Sequence, residues 1–145
     1  MYGICNLSIV PLRAAPSDSS EMVSQILFGE FFTILEQQKY WSKIRLASDD
    51  FEGFIDHKQF EKISEDLYQK LVLEAPVYSG EFVDFVTDAT NNLLTIPIGS
   101  RLPFFADHHF FINSKKYNYQ GKVFSKKMDK DEIIRNAFTF LNAPF

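Results

Sequence analysis

Short apolar runs, each closed by residues that favour turns, follow one another through about the first 60 residues of the chain. The runs are rich in aromatic and β-branched residues, which favours strands. They cover Ile4 to Val10, Met22 to Phe28, Phe31 to Leu35, Tyr40 to Leu46 and Phe51 to Ile55. Pro11 is predicted to confine the chain that follows it to an edge strand or a loop. Because five or six strands fit into so short a segment, the sequence predicts a small β-barrel rather than a sandwich.

The run around Trp41 alternates most clearly. Successive side chains of a strand point to opposite faces, which places Lys43 and Arg45 together on one face. The other face carries Ser42, Ile44 and Leu46.

The second half of the chain repeats this theme. Its strand-like runs cover Val77 to Thr87, Leu93 to Ile98, Phe110 to Ile112 and Tyr117 to Phe124. Gly29 and Gly53 in the first unit are separated by nearly the same distance along the chain as a second pair of glycines, Gly99 and Gly121. This common spacing predicts two copies of one small fold. The segment from Ser64 to Leu71 is predicted to be a short helical linker between them.

The periodicity changes at the end of the chain. Asp129 and Glu132 have the spacing of a helix N-terminal capping signature. The residues that then fall on one helical face are Ile133, Ile134, Ala137, Phe138 and Leu141. This pattern predicts a C-terminal helix whose apolar face packs into another domain or, as a third hypothesis, against a second copy of the chain.

Charge and composition narrow the possible partners. The chain has 145 residues and a formal net charge of −4, which argues against a nucleic-acid partner. Its single cysteine excludes an intrachain disulfide and a cysteine-based zinc site. No apolar run approaches the roughly 18 residues that span a bilayer. The start of the chain lacks the features of a signal peptide, so we expect a cytoplasmic location if Met1 is the natural start and the cell envelope otherwise.

Three groups of side chains could suggest a nucleophile, a metal site or a basic binding patch. A structural role explains each of them better. Cys5 lies in an apolar run without a nearby histidine, which predicts a buried structural thiol. Asp107-His108-His109 predicts a hairpin or solvated loop rather than a metal site, because adjacent strand residues point to opposite faces. The lysines predicted to protect an exposed hairpin edge are Lys115, Lys116, Lys122, Lys126 and Lys127. No nucleophile or phosphate-binding motif occurs, so we predict no catalytic residue, metal or cofactor in this chain.

The strand and turn residues of the first unit, taken in order, resemble the bacterial SH3 (SH3b) domain. The matching segments are Val10-Pro11-Leu12-Arg13, Pro16, Val23 to Gly29, Phe31 to Leu35, Trp41 to Leu46 and Gly53-Phe54-Ile55. Each segment is common by itself, whereas the ordered set is fairly specific. Phe54 stands where the family usually has a tryptophan.

A longer arrangement resembles the whole chain, namely the amino-terminal half of NlpC-type cysteine peptidases with two SH3b domains. The additional matches are Glu21 to Gln25, Arg101-Leu102-Pro103 and Asn142 to Phe145. The resemblance implies a mainly β fold with two SH3b barrels in tandem followed by a C-terminal α-helix. The implied boundaries are a first barrel at 1–62, a linker at 63–74, a second barrel at 75–128 and, at 129–145, a helix leading toward a catalytic domain beyond the chain.

The resemblance also implies a ligand and a site. The family cleaves murein stem peptides between D-γ-glutamate and a diamino acid, and in some relatives the first SH3b domain walls the cleft with an acid and a tyrosine near the peptide amine. Phe51 takes the position of that tyrosine and Val23 that of the acid. The nearest acids are Glu21 and Glu52. The implied substrate- or partner-binding residues are Glu21, Phe51, Glu52 and Phe54.

Two functional hypotheses follow. In the first, the chain is a non-catalytic targeting and substrate-gating region whose partners are a murein stem peptide and a catalytic peptidase domain. In the second, it is a stand-alone SH3-like module that binds peptides or another protein through the same residues. A reading frame that continues into an Asp-Cys-Ser-Gly motif would favour the first hypothesis.

Overall fold

A computed structural model describes residues 1–125 of the protein. The helix predicted at 129–145 and the lysines at 126 and 127 lie outside the described residues. Within residues 1–125 the protein is mainly β, with thirteen strands, one α-helix and one short 3-10 helix. The predicted fold class is therefore confirmed at the level of a mainly β protein.

The first seven strands form one antiparallel sheet. They are β1 (Tyr2–Ile4), β2 (Ile9–Arg13), β3 (Met22–Leu27), β4 (Phe31–Gln37), β5 (Trp41–Leu46), β6 (Glu52–Asp56) and β7 (Glu61–Ile63), with a 3-10 helix at His57–Gln59. Their order across the sheet is β3-β2-β6-β5-β4-β1-β7. We call residues 2–63 the N-terminal region.

One face of this sheet buries its own hydrophobic core, which we call the inner core. Its members are Cys5, Val10, Leu12, Ile26, Phe32, Ile34, Ile44, Leu46 and Ile55. Each large apolar side chain buried in this way stabilises the fold by about 1.5–3 kcal/mol. The predicted alternation of β5 is confirmed, because Ile44 and Leu46 are fully buried while Lys43 and Arg45 remain accessible to solvent.

Two predictions about the first run of residues are wrong. Ile4 to Val10 is divided between β1 and β2, because Cys5 leaves the strand to exchange backbone hydrogen bonds with Glu30 and Gly29, both of 2.8 Å. Pro11 does not end a strand but lies inside β2, opposite Gln25 of β3. The ladder between β2 and β6 begins at Arg13, so the missing N–H of Pro11 interrupts no pairing on that side.

The predicted closed barrel is not confirmed. The hydrogen-bonded order of the sheet has two edges, β3 and β7, and these strands do not pair with each other. The N-terminal region is therefore an open seven-stranded sheet around the inner core.

The α-helix α1 (Glu65–Leu73) follows the sheet directly and confirms the helical character predicted near Ser64 to Leu71. Ser64 is its N-cap, and the Ser64 hydroxyl accepts a hydrogen bond of 3.1 Å from the backbone N–H of Leu67. Tyr68 stacks on Tyr2 of β1 with ring centroids 4.1 Å apart and meets Phe31 of β4 edge-on at 5.4 Å. The helix thus covers the outer side of β1 and β4.

The remaining strands form two smaller sheets, which we call the C-terminal region. They are β8 (Tyr78–Ser79), β9 (Val83–Asp88), β10 (Leu93–Pro97), β11 (His109–Ile112), β12 (Lys115–Asn118) and β13 (Val123–Phe124). A four-stranded sheet has the order β10-β9-β12-β11, and β13 pairs with β8. These sheets differ from the seven-stranded sheet, so the predicted two copies of one fold are not confirmed.

The C-terminal region has its core in common with the N-terminal region. We call this cluster the shared core, and its buried members are Ile4, Phe28, Phe31, Ile63, Leu71, Val86, Ile96, Leu102, Phe110, Ile112, Tyr117 and Tyr119. Phe28 lies at its centre, edge-on to Phe110 at 5.8 Å and to Tyr117 at 5.7 Å. The two regions therefore meet through packed aromatic rings.

Arg101 fixes the junction between the regions. Its backbone N–H donates to the carbonyl of Phe28 (2.9 Å), and its guanidinium lies 5.3 Å from the ring centroid of Phe31. The guanidinium also donates to the carbonyl of Leu71 (2.9 Å) and to the carboxylate of Glu74 (3.1 Å). Because Arg101 and Glu74 are both largely buried, removing one partner would leave a costly unpaired charge.

Candidate functional site

The outer face of the seven-stranded sheet is covered on only one half. The half formed by β1, β4 and β7 packs against α1 and the shared core. The other half leaves outward side chains of β2, β6 and β5 accessible to solvent, and we call this set the open face. Its members are Arg13, Trp41, Lys43, Arg45, Glu52 and Phe54.

Strand pairing determines which of these side chains are neighbours. Phe54 lies opposite Arg13 on one side and opposite Lys43 on the other, and Glu52 lies opposite Arg45. Directly opposed residues on one face of an antiparallel pair have Cβ atoms about 4.5–5.5 Å apart. The open face therefore brings an aromatic ring, three cations and a carboxylate into contact distance.

A short turn sets this pairing. The carboxylate of Asp49 accepts a hydrogen bond from the N–H of Phe51 (3.1 Å), and the N–H of Leu46 donates to the carbonyl of Phe51 (2.9 Å). Asp50 adopts the left-handed conformation, with φ of 60°, which suits an aspartate in a turn. The turn therefore aligns Arg45 with Glu52.

Glu52 binds two of the three cations of the open face, Arg45 and Lys43. One of its oxygens, Oε2, accepts hydrogen bonds from Nε and Nη2 of Arg45 at 3.1 and 2.9 Å. The other oxygen lies 3.9 Å from Nζ of Lys43. The three side chains are 36–46% exposed, so the stabilisation from these ion pairs is about 1 kcal/mol or less.

The four residues predicted from the sequence are not all in one place. Phe51, Glu52 and Phe54 lie together at the start of β6, and Phe51 is 40% exposed. Glu21 is exposed two strands away, where its carbonyl accepts a hydrogen bond of 2.8 Å from the N–H of Ala14 at the end of β2. Within residues 1–125 its carboxylate has no hydrogen-bond or ion-pair partner. Their role in ligand binding stays a prediction.

The sequence interpretation missed the pairing of Glu52 with Lys43 and Arg45. The signal was present, because a hairpin whose loop is residues 47–50 places Arg45 opposite Glu52. The alternation of β5 had already put Lys43 and Arg45 on one face, and only the register of β6 was lacking.

The nucleophilic and imidazole side chains serve the fold. Cys5 is fully buried, and this burial raises the pKa of its thiol to about 12, so the prediction of a structural cysteine is confirmed. Nε2 of His57 lies 2.8 Å from the hydroxyl of the buried Ser42 and joins the 3-10 helix to β5. Asp107 and His108, with φ of 50° and 64°, form a tight turn closed by hydrogen bonds between Ala106 and His109, as the hairpin prediction expects.

Residues 1–125 contain a single α-helix, α1. The helix found there is too short and too polar to cross a membrane. In residues 1–125 no three or more histidine, cysteine, aspartate or glutamate side chains come together in a way that could hold a metal ion.

Comparison with known proteins agrees with this architecture. Residues 12–60 match the family model described as the bacterial dipeptidyl-peptidase SH3 domain, which runs from the last two residues of β2 to just past the 3-10 helix and includes all of the open face. A comparison with curated proteins finds no match.

A solved structure of an NlpC/P60 family protein from Bacillus cereus is similar in fold, with a TM-score of 0.70 at 13% sequence identity. The similarity covers 96% of this chain and 63% of that protein, so the chain spans less than two thirds of its length. The family match over residues 12–60 and the shared fold support the resemblance, drawn from the sequence, to the SH3b region of NlpC-type peptidases.

Proposed function

We propose that this chain is a non-catalytic region that binds a murein stem peptide and positions it for a catalytic peptidase domain. The observation that carries the proposal is the open face, which lies within the SH3 match and is left uncovered by α1 and the C-terminal region. Phe54 provides apolar contact area there and Glu52 provides charge, while Phe51 lies next to the open face and Glu21 two strands away. Aromatic side chains of this kind commonly anchor ligands.

The finer architecture belongs to the same proposal. We take residues 1–62 and 75–128 as two SH3-like units in tandem, joined by 63–74 and followed by the segment 129–145, which leads toward the catalytic domain. Gly29 after β3 and Gly99 after β10 support the relation, since both end a strand with φ near 80°. The fold similarity to the NlpC/P60 protein over 96% of the chain also favours it.

A peptide titration tests the binding role. The protein, labelled with ¹⁵N, is titrated with L-Ala-γ-D-Glu-L-Lys carrying a C-terminal amide, and the amide signals are followed by NMR. We expect shifts at residues 51–54 and weaker ones at Glu21, with the C-terminal region unchanged. Phe51→Ser should weaken binding about tenfold, which corresponds to about 1.4 kcal/mol.

Phe111→Ser is the matched control, because Phe111 is also 40% exposed but lies on β11. We expect it to bind the peptide like the unmodified protein. Saturation with peptide without any shift at residues 51–54 would remove the proposed site.

The alternative is a stand-alone module that binds a peptide or protein through the open face. The two functions differ in the complete gene product, which should cleave a γ-D-glutamyl-diamino acid bond only in the first case. Binding without cleavage by that product would favour the module.

A further inference from the structure

The charged members of the open face are three cations, Arg13, Lys43 and Arg45, and one carboxylate, Glu52. Glu52 follows Phe51 directly in the sequence, and both of its oxygens are engaged by cations. Glu36 of β4 also lies opposite Lys43, and these five charged side chains together carry a net charge of +1. A ligand ammonium group would have to displace one of these cations, whereas an anion can bind the donors that Glu52 leaves free.

The hydrogen-bond geometry leaves donors for such an anion. Arg45 uses Nε and Nη2 to bind Glu52, which leaves its Nη1 group out of the pair. Lys43 has three N–H donors and lies 3.9 Å from the nearest carboxylate oxygen. Glu36 lies opposite Lys43 on β4, but within residues 1–125 no carboxylate other than that of Glu52 forms an ion pair with Lys43 or Arg45. Both side chains are more than a third exposed, so a ligand can approach them.

We propose that Lys43 and Arg45 form a receptor for a peptide carboxylate, and that Glu52 is a positioning residue that orients Arg45. Guanidinium and ammonium groups bind carboxylates through charge-assisted hydrogen bonds. Phe54, opposite Lys43, provides an apolar wall for the carbon atoms next to that carboxylate. The inference rests on the proposed function, and in the stem peptide the matching group is the α-carboxylate of D-glutamate.

Three forms of one peptide separate carboxylate recognition from amine recognition. The parent is L-Ala-γ-D-Glu-L-Lys with a C-terminal amide, which has a single carboxylate. The second form carries an amide in place of that carboxylate, and the third is acetylated at the alanine amine. Affinity is measured by calorimetry with the full chain in low salt, since exposed charge pairs are screened at high salt. We expect amidation to weaken binding about tenfold or more, and acetylation to change it much less.

Two substitutions with opposite expected effects test the assigned roles. Arg45→Gln should weaken binding of the parent peptide about tenfold and abolish the difference between the acid and amide forms. Glu52→Gln keeps a hydrogen-bond acceptor for Arg45 while removing the competing negative charge, so the acid form should bind equally well or more tightly. Lys70→Gln is the control, because it removes the same charge from α1, away from the open face.

The outcomes distinguish this inference from the proposed function. If the parent peptide binds but acetylation, and not amidation, weakens it, or if Glu52→Gln loses affinity while Arg45→Gln keeps it, the carboxylate receptor is wrong and the peptide-binding function stands. If none of the three forms binds, the proposed function itself fails.

Discussion

The N-terminal and C-terminal regions of this protein bury their apolar side chains in different ways. The N-terminal region has the inner core, to which only its own residues contribute, and it supplies one wall of the shared core. The buried apolar side chains of the C-terminal region all lie in the shared core. The first region can therefore be stable by itself, whereas the second depends on the first for most of its apolar burial.

The other face of the four-stranded sheet in the C-terminal region leaves apolar side chains exposed to solvent. Val83, Phe85 and Leu93 are 55%, 56% and 67% exposed on β9 and β10. A single sheet with one solvated face stays folded only when the other face is covered. Here that cover is provided by Phe28, Phe31 and α1. Substitutions at the junction therefore test whether the C-terminal region depends on the N-terminal one.

Phe28→Ala should have the largest effect. Removal of this fully buried ring leaves a cavity between the regions and costs about 3–5 kcal/mol. We expect the loss to be concentrated in the C-terminal region, measured as amide hydrogen exchange of β9 and β12. Trp41 is the only tryptophan, so its fluorescence reports separately on the N-terminal region, which should unfold at nearly its original denaturant concentration.

Ile44→Ala provides the reverse experiment. It opens a cavity in the inner core at a cost of about 2–5 kcal/mol, and because the C-terminal region depends on the N-terminal one, both should lose stability. Labelling of the buried Cys5 thiol by a maleimide should accelerate in Ile44→Ala and not in Phe28→Ala. Equal acceleration in both variants would mean that the chain unfolds as one cooperative unit.

Gly29→Ala should have an intermediate effect. Gly29 has φ of 81°, and a Cβ atom at this position would overlap the carbonyl of Arg101 across the junction. Left-handed backbone costs a side chain about 1–2 kcal/mol, and overpacking adds about 1–3 kcal/mol. We expect a loss of about 3 kcal/mol in denaturant unfolding, again larger in the exchange of β9 than in Trp41 fluorescence.

Gly80→Ala is the matched control for this substitution. A Cβ atom there would lie 3.2 Å from the nearest atom, the carbonyl oxygen of Lys122, and its φ is outside the left-handed range. The loss should be about 1 kcal/mol or less. A similar loss in both variants would show that the approach of Arg101 to Gly29 does not hold the regions together.

The difference between the regions also explains what the sequence could predict. Strands β3 to β6 follow local signals, since alternation around Trp41 and the turns at Gly29 and residues 48–50 fix their lengths. The division of Ile4 to Val10 between two strands depends on backbone hydrogen bonds from Cys5 to Gly29 and Glu30, which no local pattern contains.

The shared core was beyond sequence reasoning for a similar reason. An apolar residue such as Phe28 has the same local pattern whether it packs inside its own sheet or against a later one. The spacing of glycines therefore suggested two equal units, although the second unit completes its core with Phe28 and Phe31 of the first. The open face could be predicted in part. Alternation along β5 predicts that Lys43 and Arg45 share a face, whereas their contact with Glu52 depends on the register of β6.

The smallest effect should come from Asp88, which stabilises a turn within the C-terminal region alone. Its carboxylate accepts hydrogen bonds from N and Oγ1 of Thr90 (2.9 and 2.8 Å) and from N of Asn92 (3.0 Å), and it lies 3.4 Å from Nζ of Lys115. These contacts, the Thr90 hydroxyl foremost, hold the pKa of Asp88 well below its ordinary value. The unfolded chain therefore takes up a proton that the folded chain does not, and this stabilisation is complete above the unfolded pKa of about 3.9 and decreases as pH falls below it.

Asp88→Asn retains an acceptor for Thr90 and Asn92 but removes the charge. It should lower the stability of the C-terminal region modestly at pH 7 and flatten its decline between about pH 4 and pH 2, measured by exchange of β9. Trp41 fluorescence should show no such change, because Asp88 has no contact with the inner core. Asp18→Asn, in the polar loop between β2 and β3, is the control and should leave the pH dependence of β9 as it is. If Asp88→Asn shifts the acid transition seen by Trp41 as strongly as that of β9, the two regions are coupled more tightly than their separate cores indicate.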